Sequence, residues 1–396
     1  MGCASIARKL ARAMLLAPGA VVAAGGGAAP PRLHGSYEAL LDDPGVDAVY
    51  LPLPTSLHVR WATAAAAKGK HVLLEKPTAL CAADLDAILA ACEAAGVQFM
   101  DATMWMHHPR TAKMRELVDD KATTGDIRAP CLLEYVCVSQ NPRYWVNAIV
   151  RRAHPNNFVG PFLVTAGLCG LLISWIPDLP RESIRNYKIK INSLFSFRAN
   201  EEFLHNDIRV KPDLDALGAL GDVGWYCIRG ILWAVDYELP KTVIAMRDPV
   251  RNQAGVLLAC GATLYWADGK IATFNCSFLT NLTMDLSIVG TNGTLHVTDF
   301  VIPYEEKSAS FSMASKSKFA ELHTGWDPLP SKHVVPTDLP QEALMVQEFS
   351  RLVQNIRDAG GKPEGKWPSI TRKTQVVMDA VKTSIDNEFA PVDVSS

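Results

Sequence analysis

From Ser36 to about Asp120, short apolar runs alternate with stretches of helical periodicity. The run VDAVYLPLP, ending at Pro54, reads as a buried strand; SLHVRWATAAAAKGK reads as a helix closed by Gly69, and HVLLEKP as the next strand. A second helix in ADLDAILAACEAAG, a strand in VQFMDAT and a helix in TAKMRELVDD follow. Strand, helix and strand at this spacing predict parallel βαβ units covered on both faces. Past the middle of the chain the period changes. TVIAMRD, GVLLACGATLYW, KIATFNCSF, TMDLSIVG and GTLHVTD are strand-like, and Asp268-Gly269 and Asn292-Gly293 supply hairpin turns between successive runs. The prediction is an antiparallel sheet with the late helices QEALMVQEFSRLVQNIRD and ITRKTQVVMDAVKTSIDNEF packed beside its core.

Two segments break this pattern. Residues 1–35 contain no Asp or Glu and include Arg8, Lys9, Arg12 and Arg32 among many alanines, a composition shared with organelle transit peptides. Met1-Gly2-Cys3 invites a lipidation reading, but Ile6 stands where the myristoylation pattern needs Ser or Thr. The second segment, 131 to 194, contains nineteen uncharged residues from Phe158 to Ile176 with Arg151-Arg152 on one side, nearly enough to cross a bilayer. Pro161 and its neighbouring glycines weaken such a helix, and a buried or disordered insertion is the plainer reading.

A chain of 396 residues is too long for one small core and implies two domains. A net charge of −2, with no run of Lys and Arg, excludes a whole-surface attraction to nucleic acid or to an anionic membrane. The nine cysteines are odd in number, scattered and never spaced C-x-x-C, which points to a reduced cytoplasmic compartment and away from disulfide frameworks and zinc sites. His107-His108 is a neighbouring pair whose side chains diverge on most backbones, so no metal is expected.

Three stretches can support chemistry. Gly2-Cys3-Ala4-Ser5-Ile6-Ala7 opens the apolar-basic helix RKLARAMLL, and a Gly-x-Ala-x-x-Ala turn there is a relaxed dinucleotide fingerprint, its small residues letting the backbone approach a pyrophosphate. Glu75-Lys76-Pro77 ends the strand HVLLEKP, and in a parallel α/β sheet the carboxyl ends of strands face the ligand crevice. An ammonium at Lys76 can polarise a carbonyl or lower a hydroxyl's pKa, although a surface lysine is the plainer reading of that residue alone. Pro54, Thr55 and His58 close the preceding strand and start a helix. In GALGDVGWY, Asp222 and Tyr226 are four apart and share a helical face, while Gly221 and Gly224 permit a close approach. A lysine cation beside Tyr226 would bring the phenol's pKa toward the working range, against the alternative of a buried core tyrosine.

Together these stretches resemble the glucose-fructose oxidoreductase and inositol dehydrogenase superfamily, Gfo/Idh/MocA, most of all plant relatives of dimeric dihydrodiol dehydrogenase and NADP-dependent D-xylose dehydrogenase. The resembling segments are GCASIARKLARA, LPLPTSLHVRWA, GKHVLLEKPTAL, MDATMWMHHPRT, NEEFLHNDIRVKPDLDALGALGDVGWYCIRG and GTNGTLHVTDF. The resemblance implies an α/β fold with a Rossmann-type parallel sheet domain (1–128, its first strand missing) and an α+β substrate and dimerisation domain with a large open, mostly antiparallel sheet (195–396), and the residues between them, 129–194, read as an atypical apolar insertion. It implies catalysis by Lys76, Tyr226 and Asp222. Cofactor contacts fall on Gly2, Cys3, Ala4, Ile6, Ala7, Pro54, Thr55, His58, Glu75 and Lys76, and substrate contacts on Trp105, His108, Arg110 and Arg209, beside Pro109. The cofactor is NADP or NAD, the branch favouring NADP; the partners are a sugar or diol substrate and a second copy of the chain.

The chain departs from the family's pattern in three places. The strand expected before Gly2 is missing, GGAAPPRLHG stands where a Ser-Arg or acidic residue and a helix belong, and 131 to 194 splits a strand between Asp126-Ile127-Arg128 and Phe195-Ser196-Phe197. Only Arg32 could meet a 2'-phosphate. These departures read as a gene model with a missed upstream exon and retained intron sequence. The leading expectation is an NAD(P)-dependent oxidoreductase acting on a sugar or cyclic diol. The alternative is a catalytically impaired dinucleotide- or sugar-binding protein of the same fold.

Overall fold

The computed structural model describes residues 5–20, 32–119 and 189–394. Gly2, Cys3 and Ala4, the GGAAPP stretch, and the apolar segment 158–176 with its candidate membrane span lie outside the described residues. Among the described residues no helix is long and apolar enough to cross a membrane.

The first unit contains helices α1 (Ser5–Leu16) and α2 (Tyr37–Leu41), strand β1 (Ala48–Leu51), helix α3 (His58–Ala67), strand β2 (His71–Leu74), helix α4 (Ala82–Ala94), strand β3 (Phe99–Asp101) and helix α5 (Pro109–Asp119). The three strands are parallel in the order β1-β2-β3, with Val49 opposite Val72 and Val72 opposite Phe99. Alternation along each strand sends Val49, Leu51, Val72, Leu74 and Phe99 against α3 and α4. Tyr50, Leu73 and Met100 point to the other face, against Leu10 and Ala13 of α1. Both faces are therefore covered, which is why these strands read as unbroken apolar runs.

The second unit is built on β4 (Lys190–Arg198), α6 (Glu201–Asn206), α7 (Trp225–Ala234), β5 (Thr242–Ala245), β6 (Val250–Arg251), β7 (Leu257–Tyr265), β8 (Ile271–Ser277), β9 (Leu279–Val289), β10 (Gly293–Val297), β11 (Ser308–Ser315), β12 (Lys318–Phe319), β13 (Trp326–Asp327), β14 (Ser331–Pro336), α8 (Gln341–Ala359), α9 (Lys366–Asp386) and β15 (Val392–Asp393). Its large sheet runs β14-β11-β10-β9-β4-β8-β7-β5-β15, with β6 beside β7. All its pairings are antiparallel except β4 with β8. β4 begins at Lys190, so residues 190–194, grouped with the insertion on sequence grounds, belong to the sheet. The hairpins at Asp268-Gly269 and Asn292-Gly293 stand as expected, whereas β11, β14 and β15 are strands that the sequence reading passed over. α7 is buried along its whole length between this sheet and α9.

Two polar joints fix the units to each other. Asp101, at the end of β3, and Arg229 of α7 are both fully buried and meet at 3.1 Å. Thr371 donates to the same carboxylate, and Arg229 Nε donates to Thr374 Oγ1 at 2.7 Å. Thr103 also bonds Asp101 through its hydroxyl, and that hydroxyl accepts from Trp225 Nε1 at 2.9 Å. A lone buried charge would be costly; here each has an opposite charge and hydroxyl partners. The second joint is Asp215, whose Oδ1 accepts from Thr55 N at 2.7 Å and Thr55 Oγ1 at 2.6 Å. Near it, Gly218 adopts φ +56° with its Cα so close to β7 that an added Cβ would lie 2.0 Å from Leu257 O.

Candidate active site

Where β2 ends, the chain leaves the parallel sheet through Glu75, Lys76 and Pro77 and meets the widened π-helical turn Leu220–Gly224 that precedes α7. Gly221 allows this meeting, since a Cβ there would stand 3.1 Å from Pro77 Cγ and 2.7 Å from Leu217 Cβ. Across the contact, Lys76 Nζ donates to Asp222 Oδ1 at 2.5 Å and to the Asp222 carbonyl at 3.0 Å. The same ammonium lies 4.7 Å from the centre of the Tyr226 ring. Arg209 Nε reaches Asp222 Oδ1 at 3.0 Å, and its Nη1 reaches Asp207 Oδ1 at 3.1 Å. Lys76, Asp222, Tyr226 and Arg209 thus converge at the carboxyl end of a parallel strand, with the Lys76 and Asp222 side chains only 10% and 11% exposed.

The electrostatics follow from burial. Burial disfavours the Asp222 carboxylate, but Arg209 and Lys76 overcome it and hold the carboxyl well below its usual range. Asp222 in turn holds the Arg209 guanidinium firmly charged. Tyr226 moves the other way from expectation: burial, followed by the carboxylates of Glu75 and Asp222, pushes its phenol well above 10. The physical reason is that Lys76 lies over the ring face and bonds Asp222, rather than bonding the phenol oxygen. The Tyr226 hydroxyl donates instead to Met104 Sδ at 3.4 Å. Burial likewise raises Glu75, which accepts from the Tyr50 hydroxyl and lies next to Lys76 in the chain.

The other expected contacts divide. Pro54 is half-buried at the end of β1, but the Thr55 hydroxyl is taken by Asp215. His58 is buried with Nδ1 3.1 Å from Thr78 O and Nε2 2.9 Å from Leu53 O, so its nitrogens knit two turns together. Ile6 and Ala7 lie in the first turns of α1, half-buried. Three of the four expected substrate contacts are buried and engaged with protein partners. Trp105 is fully buried, edge-on to Trp233 and Phe300; His108 is buried and accepts from Arg110 N at 2.9 Å. Arg110, 1% exposed, pairs with Asp299 and donates to the carbonyls of Asp299 at 2.8 Å and Ser310 at 3.1 Å. Only Arg209 reaches the site. Arg32, the expected 2'-phosphate partner, is exposed and pairs with Asp43 at 3.0 Å. Among the described residues no cluster of three His, Cys, Asp or Glu side chains is placed to hold a metal.

Sequence reasoning missed Tyr50, Met104 and Asp207. A tyrosine inside the buried run AVYL needs a hydrogen-bond partner, a signal that could have been followed to Glu75. No comparable signal marks Met104.

Comparison with known proteins bears on the fold. The model for an oxidoreductase family with an NAD-binding Rossmann fold, GFO_IDH_MocA, matches residues 21–103, and the GFO/IDH/MocA C-terminal domain matches residues 188–296. The chain is 51% identical over 88 residues to a D-xylose 1-dehydrogenase (NADP(+)) of Haloferax volcanii, 22% of this chain and 27% of that protein. It is 24% identical over 267 residues to the trans-1,2-dihydrobenzene-1,2-diol dehydrogenase of Danio rerio, 67% of this chain and 59% of that protein. The aligned stretches thus span less than two thirds of either relative's own length. A 3-ketoreductase from Actinomadura kijaniata, solved with NADP and TDP-benzene, shares the fold at a TM-score of 0.65 and 20% identity, over 96% of this chain and 95% of that one.

Proposed function

The chain belongs to the GFO/IDH/MocA family of oxidoreductases, and from that membership we propose that it catalyses NAD(P)-dependent hydride transfer at a carbonyl or secondary alcohol of a sugar or cyclic diol. The observation that carries the reading is the meeting of Lys76, Asp222 and Tyr226 at the end of β2. The donor set there fits a nicotinamide coenzyme: an ammonium, a buried carboxyl and a proline-walled turn where the parallel strands end. Pro54, Glu75 and Lys76 would hold it, and a bound nicotinamide supplies the hydride. NADP(H) is favoured, in keeping with the coenzyme named for the Haloferax relative.

In the reductive direction the reaction needs a proton donor, a role open to Tyr226. A phenol held well above 10 keeps its proton at neutral pH, so Tyr226 stands as the donor to a carbonyl oxygen that becomes the product hydroxyl. Asp222 fixes Lys76 and Arg209 on either side of itself, which leaves the two cations as orienting groups for the substrate's oxygens. We further propose a homodimer through the large sheet, whose face opposite α7 carries the half-exposed Thr263, Ile271, Thr273 and Ser287, and a reducing cytoplasmic setting, in keeping with the unlinked Cys260 and Cys276 thiols. Light scattering on the purified chain tests the dimer.

The catalytic assignment is tested with Lys76→Met and Tyr226→Phe in NAD(P)H turnover across a panel of sugars, their ketones and cyclic diols. Each variant should lose about 10²- to 10⁴-fold in turnover, with coenzyme affinity kept within a few-fold. Full activity in both variants overturns the assignment.

A further inference from the structure

The Tyr226 hydroxyl, buried in the site, points its proton at a thioether, a weak acceptor. Both ends of this contact are held in place. Met104 follows Thr103, and Trp225 precedes Tyr226; the Trp225 indole donates to the Thr103 hydroxyl at 2.9 Å, and Thr103 is itself bonded to Asp101. The Trp225–Thr103 bond fixes the turn that carries Met104 against the start of the helix that carries Tyr226. Met104 is half-buried, at the start of the turn Met104–His107 that follows β3.

We propose that Met104 is the positioning residue for the proton donor and an oxidation site that switches the donor off. This rests on the reading of Tyr226 as proton donor. In the thioether form the O–H is aimed and lightly held, so rotation about the Cζ–Oη bond presents the proton to a substrate oxygen with little to break. Reaction with a peroxide changes the acceptor. An S–O bond forms as the peroxide O–O bond breaks, the sulfur is oxidised by two electrons, and hydrogen peroxide leaves as water. The sulfoxide oxygen is a strong acceptor at the same place and holds the phenol proton away from substrate. The loss of a freely turning hydroxyl is felt in turnover and not in substrate binding, because the substrate's other contacts are untouched.

The experiment compares wild type, Met104→Gln, Met104→Leu and, as a control, Met106→Leu, whose sulfur lies 3.5 Å from the separate Tyr237 hydroxyl. Met104→Gln, with a carbonyl acceptor in reach of the phenol, should turn over about five- to tenfold more slowly than Met104→Leu at equal KM, the ratio that one added hydrogen bond of ordinary strength yields. Under dilute hydrogen peroxide, wild type and Met106→Leu should lose turnover in step with Met104 sulfoxide measured by peptide mass spectrometry. Met104→Leu should keep its own starting turnover, and a methionine sulfoxide reductase should restore the wild type. Equal kcat in the Gln and Leu variants, or equal peroxide loss with and without Met104, overturns the proposal. Should the wild type turn over no sugar or diol at all, the functional reading fails by itself. The contact is then judged from thermal unfolding of Met104→Leu, Tyr226→Phe and the double variant, where non-additive Tm losses support it and additive losses sink it.

Discussion

Arg110 is where the family resemblance and the structure disagree most sharply, and substitution separates them. In the structure its guanidinium is 1% exposed, and its partner Asp299 is 3% exposed. Removing it as Arg110→Met leaves a buried carboxylate that, among the described residues, keeps the backbone N–H of Tyr304 at 2.9 Å as its hydrogen-bond donor, and takes the guanidinium from the carbonyls of Asp299, Phe300 and Ser310 that it now bonds. Breaking a buried pair from one side costs about 3 to 5 kcal/mol. At roughly 2 to 4 °C per kcal/mol for a domain of this size, the Tm should fall by about 6 to 20 °C. Circular dichroism melts of the purified variant measure this. A second variant, Arg110→Met with Asp299→Leu, removes both charges and should recover a good part of the loss, since an apolar pair of similar volume is often neutral. If Arg110 instead contacts substrate, the single variant melts within a degree or two of the wild type and raises KM, and that result refutes the buried-pair account.

Two further outcomes follow from local geometry. Burial pushes His107 and His108 down to about 4 from the ordinary 6.5, so between those values the unfolded chain binds protons that the folded chain refuses; stability is full above about pH 6.5 and falls as the pH drops toward 4. At pH 5.5 the loss is roughly 1 kcal/mol for each ring, read as a Tm lowered by several degrees against pH 7.5, and His107→Phe, which preserves the stack on Trp367, should remove its share. Two left-handed glycines give a contrast in denaturant midpoints. Gly69→Ala, at φ +69° with no atom within 4 Å of the new methyl, should cost about 1 kcal/mol, whereas Gly218→Ala, with Leu257 O 2.0 Å from the methyl, should cost 3 kcal/mol or more; equal losses would contradict the close approach.

The parallel half of the fold was legible because both faces of its sheet are covered, so that HVLL and AVYL stand out as unbroken apolar runs bounded by polar turns. The hairpins were legible because Asp-Gly and Asn-Gly are turn chemistry, independent of tertiary context. β11 was not: in SASFSMAS the buried residues are Ala309, Phe311, Met313 and Ala314, and the serines among them dilute the signal to that of a loop. The joint between the units was legible in principle. Arg229 is the lone charge of the helix WYCIRGILWA, and a charge inside an otherwise apolar helix must find an acid; Asp101, ending a buried strand, was available.

The catalytic centre divides along the same line between what chain position fixes and what rotation about an axis fixes. Lys76 and Asp222 were found because a strand end and a glycine-flanked turn are positional features. The segment MWMHHPR was placed at the crevice by the same logic, since it follows the end of β3, yet it supplies mostly core. Its backbone makes a 3₁₀ turn over Met104–His107, with about three residues per turn, so residues three apart lie on one side. Met104 and His107 share the half-buried side, and Trp105 and His108 share the buried one. A reading that treats the segment as one substrate-facing stretch cannot choose between these phases, and so it names Trp105 and His108 and passes over Met104. The phase is set by the Asp101–Thr103–Trp225 bonds that hold the turn, and of these the Trp225–Thr103 bond spans 122 residues of sequence. The same bonds hold the turn that carries Met104, the acceptor beside the Tyr226 hydroxyl, so the phenol's surroundings include a joint that no local pattern announces.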